Sequence, residues 1–373
     1  MGLIRSKIKH LLRLLFMVIA SIGILWLLKI IGFLNLQLFL DAFKQNKIRI
    51  ASIISVLIFV VVLGIVKLFY LLKLVAINTK FSEVAGASFI SQAIGQWFPG
   101  SMVVTDVFRF GLMVGIGKKS EFSNDFQENS ILKSRIAVAL FIDRVFGLGM
   151  MFIVGSACSI FLILAHDPNV KYPAILFLLT LLSLIIGISF LLIPFVAHAI
   201  FMNKLSTYLE TKAQRLISGK KKNSRLSQFI TRIFTALASI LKTLDQALMN
   251  RRALINPLIL SLSICLLNSL AFYLSALSIS RHIPFLVILI LVPFTILSML
   301  LPLGFAGYGG QQLMAVGVFG LFEVNPETVV ASSLVLTTLA LAVYTFCGGI
   351  SAGLWSNRLR SAVKKSDPSD SII

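Results

Sequence analysis

The chain has 373 residues, of which 58% are hydrophobic and only 13% are charged, and its mean hydropathy is +0.96. A soluble protein of this length could not bury so much apolar surface, so the composition predicts a membrane protein. The 34 Lys and Arg against 14 Asp and Glu give a net charge of +20. Since these bases lie in loops and tails, they indicate topology and contact with anionic headgroups rather than binding of nucleic acid.

Six apolar segments have the length of about 20 residues that a membrane-spanning helix needs. They cover residues 14–33, 50–72, 136–165, 172–197, 253–280 and 328–357. Bases precede the first segment and no small-residue cleavage site follows it, so we interpret it as a retained anchor. Lys67 and Lys73 lie near one end of the second segment, and we expect both to reach the cytoplasmic interface.

A seventh uncharged stretch, residues 84–105, is interrupted at Pro99 and Gly100. Its first arm would be a helix of only about 22 Å, against about 30 Å of hydrocarbon. Ser and Gln are frequent in this arm. We predict a re-entrant hairpin that turns at Pro99-Gly100 and is covered by protein or by a wet cavity, because exposed irregular backbone is not tolerated in lipid.

The uncharged residues 283–322 form a second irregular stretch, with breaks at Pro302, Gly307 and Gly309. Its later arm would be a helix of only about 18 Å, which favours a second hairpin or a broken pair of helices. Two tilted spans with a tight glycine turn are the alternative. The chain is therefore predicted to be an all-α polytopic membrane protein with six to eight transmembrane helices and one or two re-entrant broken-helix hairpins.

The distribution of bases predicts the orientation. Residues 200–252 hold 11 Lys and Arg against two acids, so this insertion and both termini should be cytoplasmic. Within it, apolar residues recur at helical spacing over residues 226–241, which indicates an amphipathic helix on the inner leaflet, or else a connector with ordinary solubilising charge.

We expect one integral membrane domain over residues 1–357 and a basic, polar cytoplasmic tail over 358–373. In the six-crossing reading, a span, a hairpin and a span occur twice, at about 50–165 and 253–357, with opposite orientation. This order is typical of transporters built from inverted repeats.

Four charged residues inside apolar stretches are the candidate site. Asp106 and Arg109 lie on one helix face at i and i+3, whereas Asp143 and Arg144 point about 100° apart on their helix. Because charges in a membrane are costly unless paired or wet, they are functional candidates. Cross-pairing of Asp106 with Arg144, or of Arg109 with Asp143, would join the hairpin to the following span. Alternatively, one or both arginines bind an anionic phosphate, and a substrate could compete for the salt bridge.

Sequence motifs for catalysis or cofactor binding are absent. Cys158, Cys265 and Cys347 lie far apart in apolar runs, and the four histidines are scattered, so we predict neither a metal site nor a disulfide framework. There is no phosphate-binding loop and no nucleophile-elbow serine. We expect no catalytic residue, no metal and no cofactor, which favours a transporter over an enzyme.

The ordered motifs Pro99-Gly100, Asp106-x-x-Arg109, Asp143-Arg144, Pro302 with Gly307-x-Gly309, and Gln312 resemble the lysylphosphatidylglycerol synthase transmembrane, or flippase-like, family. The resemblance covers about residues 1–357. It implies a bacterial or archaeal inner-membrane protein that translocates or handles anionic or modified phospholipids or polyprenyl lipids. It also implies that the four charges and Gln312 contact substrate and that the Pro and Gly residues form the hairpin turns.

The resemblance leaves alternatives open. Family members commonly carry Glu where this chain has Gln312, so a chain with Gln312 would lack that acid for proton coupling or use another group. The 16 residues after 357 cannot hold the soluble aminoacyltransferase domain of two-part members. A partner enzyme of lipid or cell-envelope glycan synthesis is expected. The alternatives are a membrane-embedded glycosyl or group transferase acting on a lipid phosphate, and a non-catalytic membrane subunit.

Overall fold

The computed structural model describes residues 22–120, 126–165, 173–200, 225–249, 251–279, 281–298, 307–322 and 324–364, together with residues 19, 207, 208 and 211. Every regular element in these ranges is a helix. After the helical residues 22–30, the α-helices are α1 Leu36–Gln45, α2 Lys47–Leu74, α3 Phe81–Gln96, α4 Ser101–Ser120, α5 Phe126–Leu164, α6 Pro173–Ile200, α7 Arg225–Met249, α8 Arg251–Ser278, α9 Phe285–Leu297, α10 Gly310–Phe319 and α11 Pro326–Lys364.

Five of these helices are long and apolar enough to cross a membrane. The qualifying parts are Lys47–Leu74, Ile131–Leu164, Pro173–Leu192, Arg252–Ser278 and Pro326–Trp355. They correspond to five of the six predicted segments, and the remaining segment, 14–33, lies partly outside the described residues. The prediction of an all-α polytopic membrane protein is confirmed.

The helices α3 and α4 form the first hairpin, which turns at residues 97–100. Gly100 has a φ of +65°, which a residue with a side chain rarely adopts. The arms approach closely at Gly95, where an added Cβ would lie 2.7 Å from the Thr105 backbone nitrogen. Since α3 has only 16 residues, it is about 24 Å long and ends before it could cross the hydrocarbon. The break predicted at Pro99-Gly100 is present.

The helices α9 and α10 form the second broken pair. They have 13 and 10 residues, or about 20 and 15 Å, which is too short for ordinary spans. Gly307 and Gly309 lie in the connection with φ values of +81° and +91°, as the predicted glycine turn requires. Pro302 lies outside the described residues. We call α9 and α10 the second hairpin.

The helices α2 and α8 run antiparallel against each other. Asn46, before the start of α2, donates a 2.6 Å hydrogen bond to the carbonyl oxygen of Ser278 at the end of α8. Toward the other end of α2, Lys67 Nζ lies 3.2 Å from Ser261 Oγ, in the first half of α8. The second and fifth predicted spans therefore face each other with opposite direction.

Each hairpin packs against a long helix from the other half of the chain. The first arm, α3, lies along α11, and the first arm of the second hairpin, α9, lies along α5. Glycines permit both contacts: an added Cβ at Gly348 would lie 2.2 Å from Ala93 Cβ, and one at Gly155 would lie 3.3 Å from the Leu289 carbonyl oxygen. Each hairpin thus contacts the span that follows the other hairpin, and the inverted repeat stays a prediction.

Candidate functional site

A cavity of about 260 Å³ lies where α2, both hairpins, α5, α8 and α11 meet. Four charged side chains line it, namely Lys67, Arg109, Asp143 and Arg144. Its neutral polar lining includes Ser88, Gln92, Gln96, Asn268, Gln311 and Thr337. The breaks in the helices therefore surround a polar cavity, as expected where irregular backbone lies at membrane depth.

Arg144 and Asp106 form a bidentate ion pair between α5 and the first hairpin. The Arg144 Nε and Nη2 atoms each donate a 2.6 Å hydrogen bond to one of the two Asp106 carboxylate oxygens. The Arg144 side chain is 30% exposed and that of Asp106 is 24% exposed. One of the two predicted cross-pairs is thus present. Because Arg144 lines the cavity and Asp106 holds it there, the guanidinium is oriented before any ligand binds.

Asp143 pairs with Lys67 of α2 rather than with Arg109. Lys67 Nζ lies 2.8 Å from Asp143 Oδ1 in an ionic contact, and it donates hydrogen bonds to the Asp143 carbonyl oxygen at 3.0 Å and to Ser261 Oγ at 3.2 Å. Both residues are buried. The prediction that Lys67 extends to the cytoplasmic interface is therefore wrong: its ammonium joins α2, α5 and α8. Lys73 is exposed and lies over the Phe69 ring.

Arg109 is a buried cation that shares the Asp106 carboxylate with Arg144. Its Nε lies 3.4 Å from Ser91 Oγ, and its Nη1 lies 3.8 Å from an Asp106 oxygen that already accepts a bond from Arg144. Arg109 is 8% exposed. Among the charged side chains that the structure describes at this place, Lys67, Arg109 and Arg144 outnumber Asp106 and Asp143 by one positive charge. An excess charge of this kind is costly where it is buried.

Several neutral side chains in the cavity wall have unused hydrogen-bonding groups. Ser88 is 2% exposed, and its hydroxyl has no partner among the described residues. Gln92 and Gln96 follow it at successive i+4 positions, so the three form a stripe on one face of α3. Within the described ranges, neither glutamine side chain makes a hydrogen bond. The frequent Ser and Gln residues of this arm are visible in the sequence, but nothing in the pattern indicates a role for these three.

Gln312 lies outside the cavity lining and stabilises the second hairpin. Its Oε1 accepts a 2.7 Å hydrogen bond from the Gly309 backbone nitrogen, and its Nε2 lies 3.2 Å from Ser333 Oγ of α11. It is fully buried. The neighbouring residue Gln311 lines the cavity instead and accepts a hydrogen bond from Thr337 at 3.2 Å. A substrate contact by Gln312 stays a prediction that the described contacts do not support.

Three charged residues of the sequence motifs, Arg109, Asp143 and Arg144, line one cavity beside the first hairpin. A family model for the lysylphosphatidylglycerol synthase transmembrane region matches residues 11–348. The chain belongs to this family. The match confirms the resemblance and links the protein to a lipid-handling family of membrane proteins. No curated protein and no solved structure matches the chain. In this member of the lysylphosphatidylglycerol synthase transmembrane family, the charged motif residues meet in one place, and Lys67 joins them.

Proposed function

We propose that this protein is a lipid flippase that translocates an anionic or modified phospholipid, or a polyprenyl lipid, across the bacterial or archaeal inner membrane. The observation that carries the proposal is the excess of one positive charge in a cavity bordered by a broken helical hairpin. Membership of a lipid-related family supports a lipid as the ligand.

Arg109 and Arg144 are the proposed contacts for the lipid phosphate. A guanidinium presents donors in a planar fork that matches phosphate oxygens, and both arginines line the cavity. Arg109 supplies the unmatched charge. Arg144 would exchange one or both bonds from Asp106 to the phosphate, so Asp106 and the ligand would compete for the same donors. Asp143 would hold the Lys67 ammonium in place.

The size of the cavity supports binding of a headgroup rather than of a whole lipid. At about 260 Å³ it lies near the lower end of small-ligand pockets, which hold about 300 to 1,000 Å³. The acyl or prenyl chains would therefore remain in the bilayer. We propose a single membrane domain with halves 50–165 and 253–357, in which access to this cavity alternates between the two sides of the membrane. The basic insertion 201–252 and both termini would lie on the cytoplasmic side.

The enzyme alternative receives less support from the geometry. A membrane transferase would need an acid free to accept or donate a proton, and the two carboxylates at the site, Asp106 and Asp143, are both ion-paired. A purely structural subunit would explain the two ion pairs but not the additional cation, Arg109. Supply of the lipid by a partner enzyme of lipid or envelope-glycan synthesis fits the translocation proposal.

The test is a comparison of wild-type protein with Arg109→Gln in liposomes containing tail-labelled phosphatidylglycerol. Dithionite quenches label only in the outer leaflet, so the rate at which protected label becomes accessible measures translocation. We expect Arg109→Gln to slow translocation by at least about tenfold, because a charge-assisted bond to phosphate contributes about 1.5–3 kcal/mol. Arg281→Gln, at an exposed position outside the cavity, is the control and should match wild type. Equal rates for wild type and Arg109→Gln would contradict the phosphate contact.

A further inference from the structure

The ion pair between Asp106 and Arg144 lies near the middle depth of the membrane domain. Along α5, Arg144 lies about 14 Å beyond Arg135, which is near the start of the span Ile131–Leu164. Along α4, Asp106 lies about 18 Å before Lys118. Since the hydrocarbon of a bilayer is about 30 Å thick, neither residue of the pair is near its boundary.

This ion pair is also partly exposed on the side that faces away from the cavity. The side chain of Asp106 is 24% exposed, yet Asp106 is not among the described residues that line the cavity. Arg144 does line the cavity, so its guanidinium extends from the cavity to a carboxylate outside it. The pair therefore lies in an opening of the cavity wall rather than behind a closed wall.

Exposed apolar side chains border this opening on the outer surface of the helices. Val107, next to Asp106 on α4, is 64% exposed, and Val103, one turn earlier, is 51% exposed. Phe141, three positions before Arg144 on α5, is 49% exposed. Because exposed apolar side chains at this depth contact lipid tails, the opening leads into the bilayer.

The packing near the opening leaves space between α4 and α5. The helix α4 packs more extensively on α3 than on α5. Gly147, one turn beyond Arg144 on α5, lines the cavity, and a Cβ added there would have Lys67 Nζ as its neighbour, at 3.5 Å. Among the described residues, no atom of α4 lies within 4 Å of that position. Here the two helices are therefore joined by the ion pair rather than by close packing.

A partly exposed ion pair surrounded by hydrocarbon is costly unless a polar group covers it. The headgroup of a lipid supplies such a group, and its tails match the apolar border. We infer that the gap between α4 and α5 is a lateral opening through which a bilayer lipid reaches the cavity. Its headgroup lies at Asp106 and Arg144, and its tails lie along Val107 and Phe141. This inference rests on the proposed lipid translocation and specifies the route and the surface that binds the lipid.

The experiment uses the full-length protein with its three native cysteines replaced by Ser and with one new cysteine, Val107→Cys or Phe141→Cys. The probe, in phosphatidylcholine vesicles, is phosphatidylethanolamine whose amine is linked to a maleimide through an amide, so that the phosphodiester is the only charge of the headgroup. This maleimide reaches a thiol at middle depth only where the headgroup enters the protein. Leu182→Cys is the matched control, because Leu182 is 49% exposed, does not line the cavity and lies about 14 Å along α6 from Pro173.

We expect the maleimide lipid to label Val107→Cys and Phe141→Cys at least about tenfold faster than Leu182→Cys, because a charged headgroup enters plain hydrocarbon only at a high cost in free energy. Labelling after denaturation gives the total thiol of each variant and normalises the rates. A general loosening of the protein would not favour the two positions beside the ion pair. Equal rates at all three positions would overturn the inference.

The outcomes separate this inference from the transport proposal when the dithionite assay is run on the wild-type protein in parallel. If phosphatidylglycerol moves but the three thiols react at equal rates, the lateral opening is overturned while translocation stands. If Val107→Cys and Phe141→Cys react faster but no lipid moves, the translocation proposal fails and the lateral opening stands as a lipid-binding surface. If no lipid moves and the rates are equal, both fail.

Discussion

Arg144 donates both of its short hydrogen bonds, 2.6 Å each, to a carboxylate on a different element, that of Asp106 in the first hairpin. Both residues lie in the region where the hairpin arm α4 approaches α5. The bond therefore determines the position of the hairpin and, at the same time, occupies the donors that a phosphate would use.

Removing the charge of Asp106 should strengthen binding of anionic lipid. In Asp106→Asn, Arg144 loses its competing carboxylate and the excess charge of the site rises by one unit. We expect phosphatidylglycerol to bind roughly tenfold more tightly, measured by lipid titration in detergent. Asp41→Asn, on α1 and outside the cavity, should not change the affinity. Unchanged or weaker binding by Asp106→Asn would show that Asp106 does not compete with lipid.

The contact between Lys67 and Asp143 should contribute strongly to stability. Lys67→Met leaves a buried carboxylate without its cation, which should be destabilising by about 3–5 kcal/mol. The measurement is the thermal midpoint of the purified protein in detergent. Lys73→Met, on the same helix but at an exposed position, should leave the midpoint nearly unchanged.

The double variant Lys67→Met/Asp143→Asn tests the same contact by removing both of its charges. It should therefore recover most of the stability that Lys67→Met loses. A double variant as unstable as the sum of its single variants would argue against direct pairing.

The neighbouring glycines 348 and 349 provide a matched test of the contact between α3 and α11. An added Cβ at Gly348 would meet Ala93 Cβ at 2.2 Å and the Phe89 carbonyl oxygen at 2.8 Å, whereas nothing lies within 4 Å of one at Gly349. Gly348→Ala should lower the free energy of unfolding by about 1–3 kcal/mol through overpacking. Gly349→Ala should be neutral or stabilising by up to about 1 kcal/mol. Similar thermal midpoints for the two variants would contradict this packing.

Single cysteines should report the orientation. In a background with Cys158, Cys265 and Cys347 replaced by Ser, Lys44→Cys and Lys242→Cys each introduce one thiol at an exposed position. A membrane-impermeant maleimide should label Lys44→Cys in intact cells, and Lys242→Cys only after permeabilisation, because the basic insertion is expected to be cytoplasmic. The reverse pattern would invert the proposed topology.

The helices and their breaks could be predicted from sequence because the lengths of apolar runs and the positions of Pro and Gly determine them. The ion pairs between different helices could not be predicted from the sequence. The sequence predicts Lys67 at the interface, yet its partner Asp143 lies 76 positions later in the chain, and helical spacing indicates only neighbours on the same helix. Likewise, Gln311 and Gln312 point about 100° apart on α10. Which of them faces the cavity depends on how α10 is rotated about its axis.

The reciprocal packing of the hairpins has a mechanical consequence. Because α3 lies on α11 and α9 lies on α5, a rocking motion that preserves these contacts would move the first hairpin with α11 and the first arm of the second hairpin, α9, with α5. The surface along which the two parts move would then lie between α4 and α5, which are consecutive in the chain, rather than between the two halves of the chain. Asp106 and Arg144 face each other across this surface. Each translocation of a lipid would therefore have to break and re-form their ion pair, although the same guanidinium is proposed to bind the lipid phosphate.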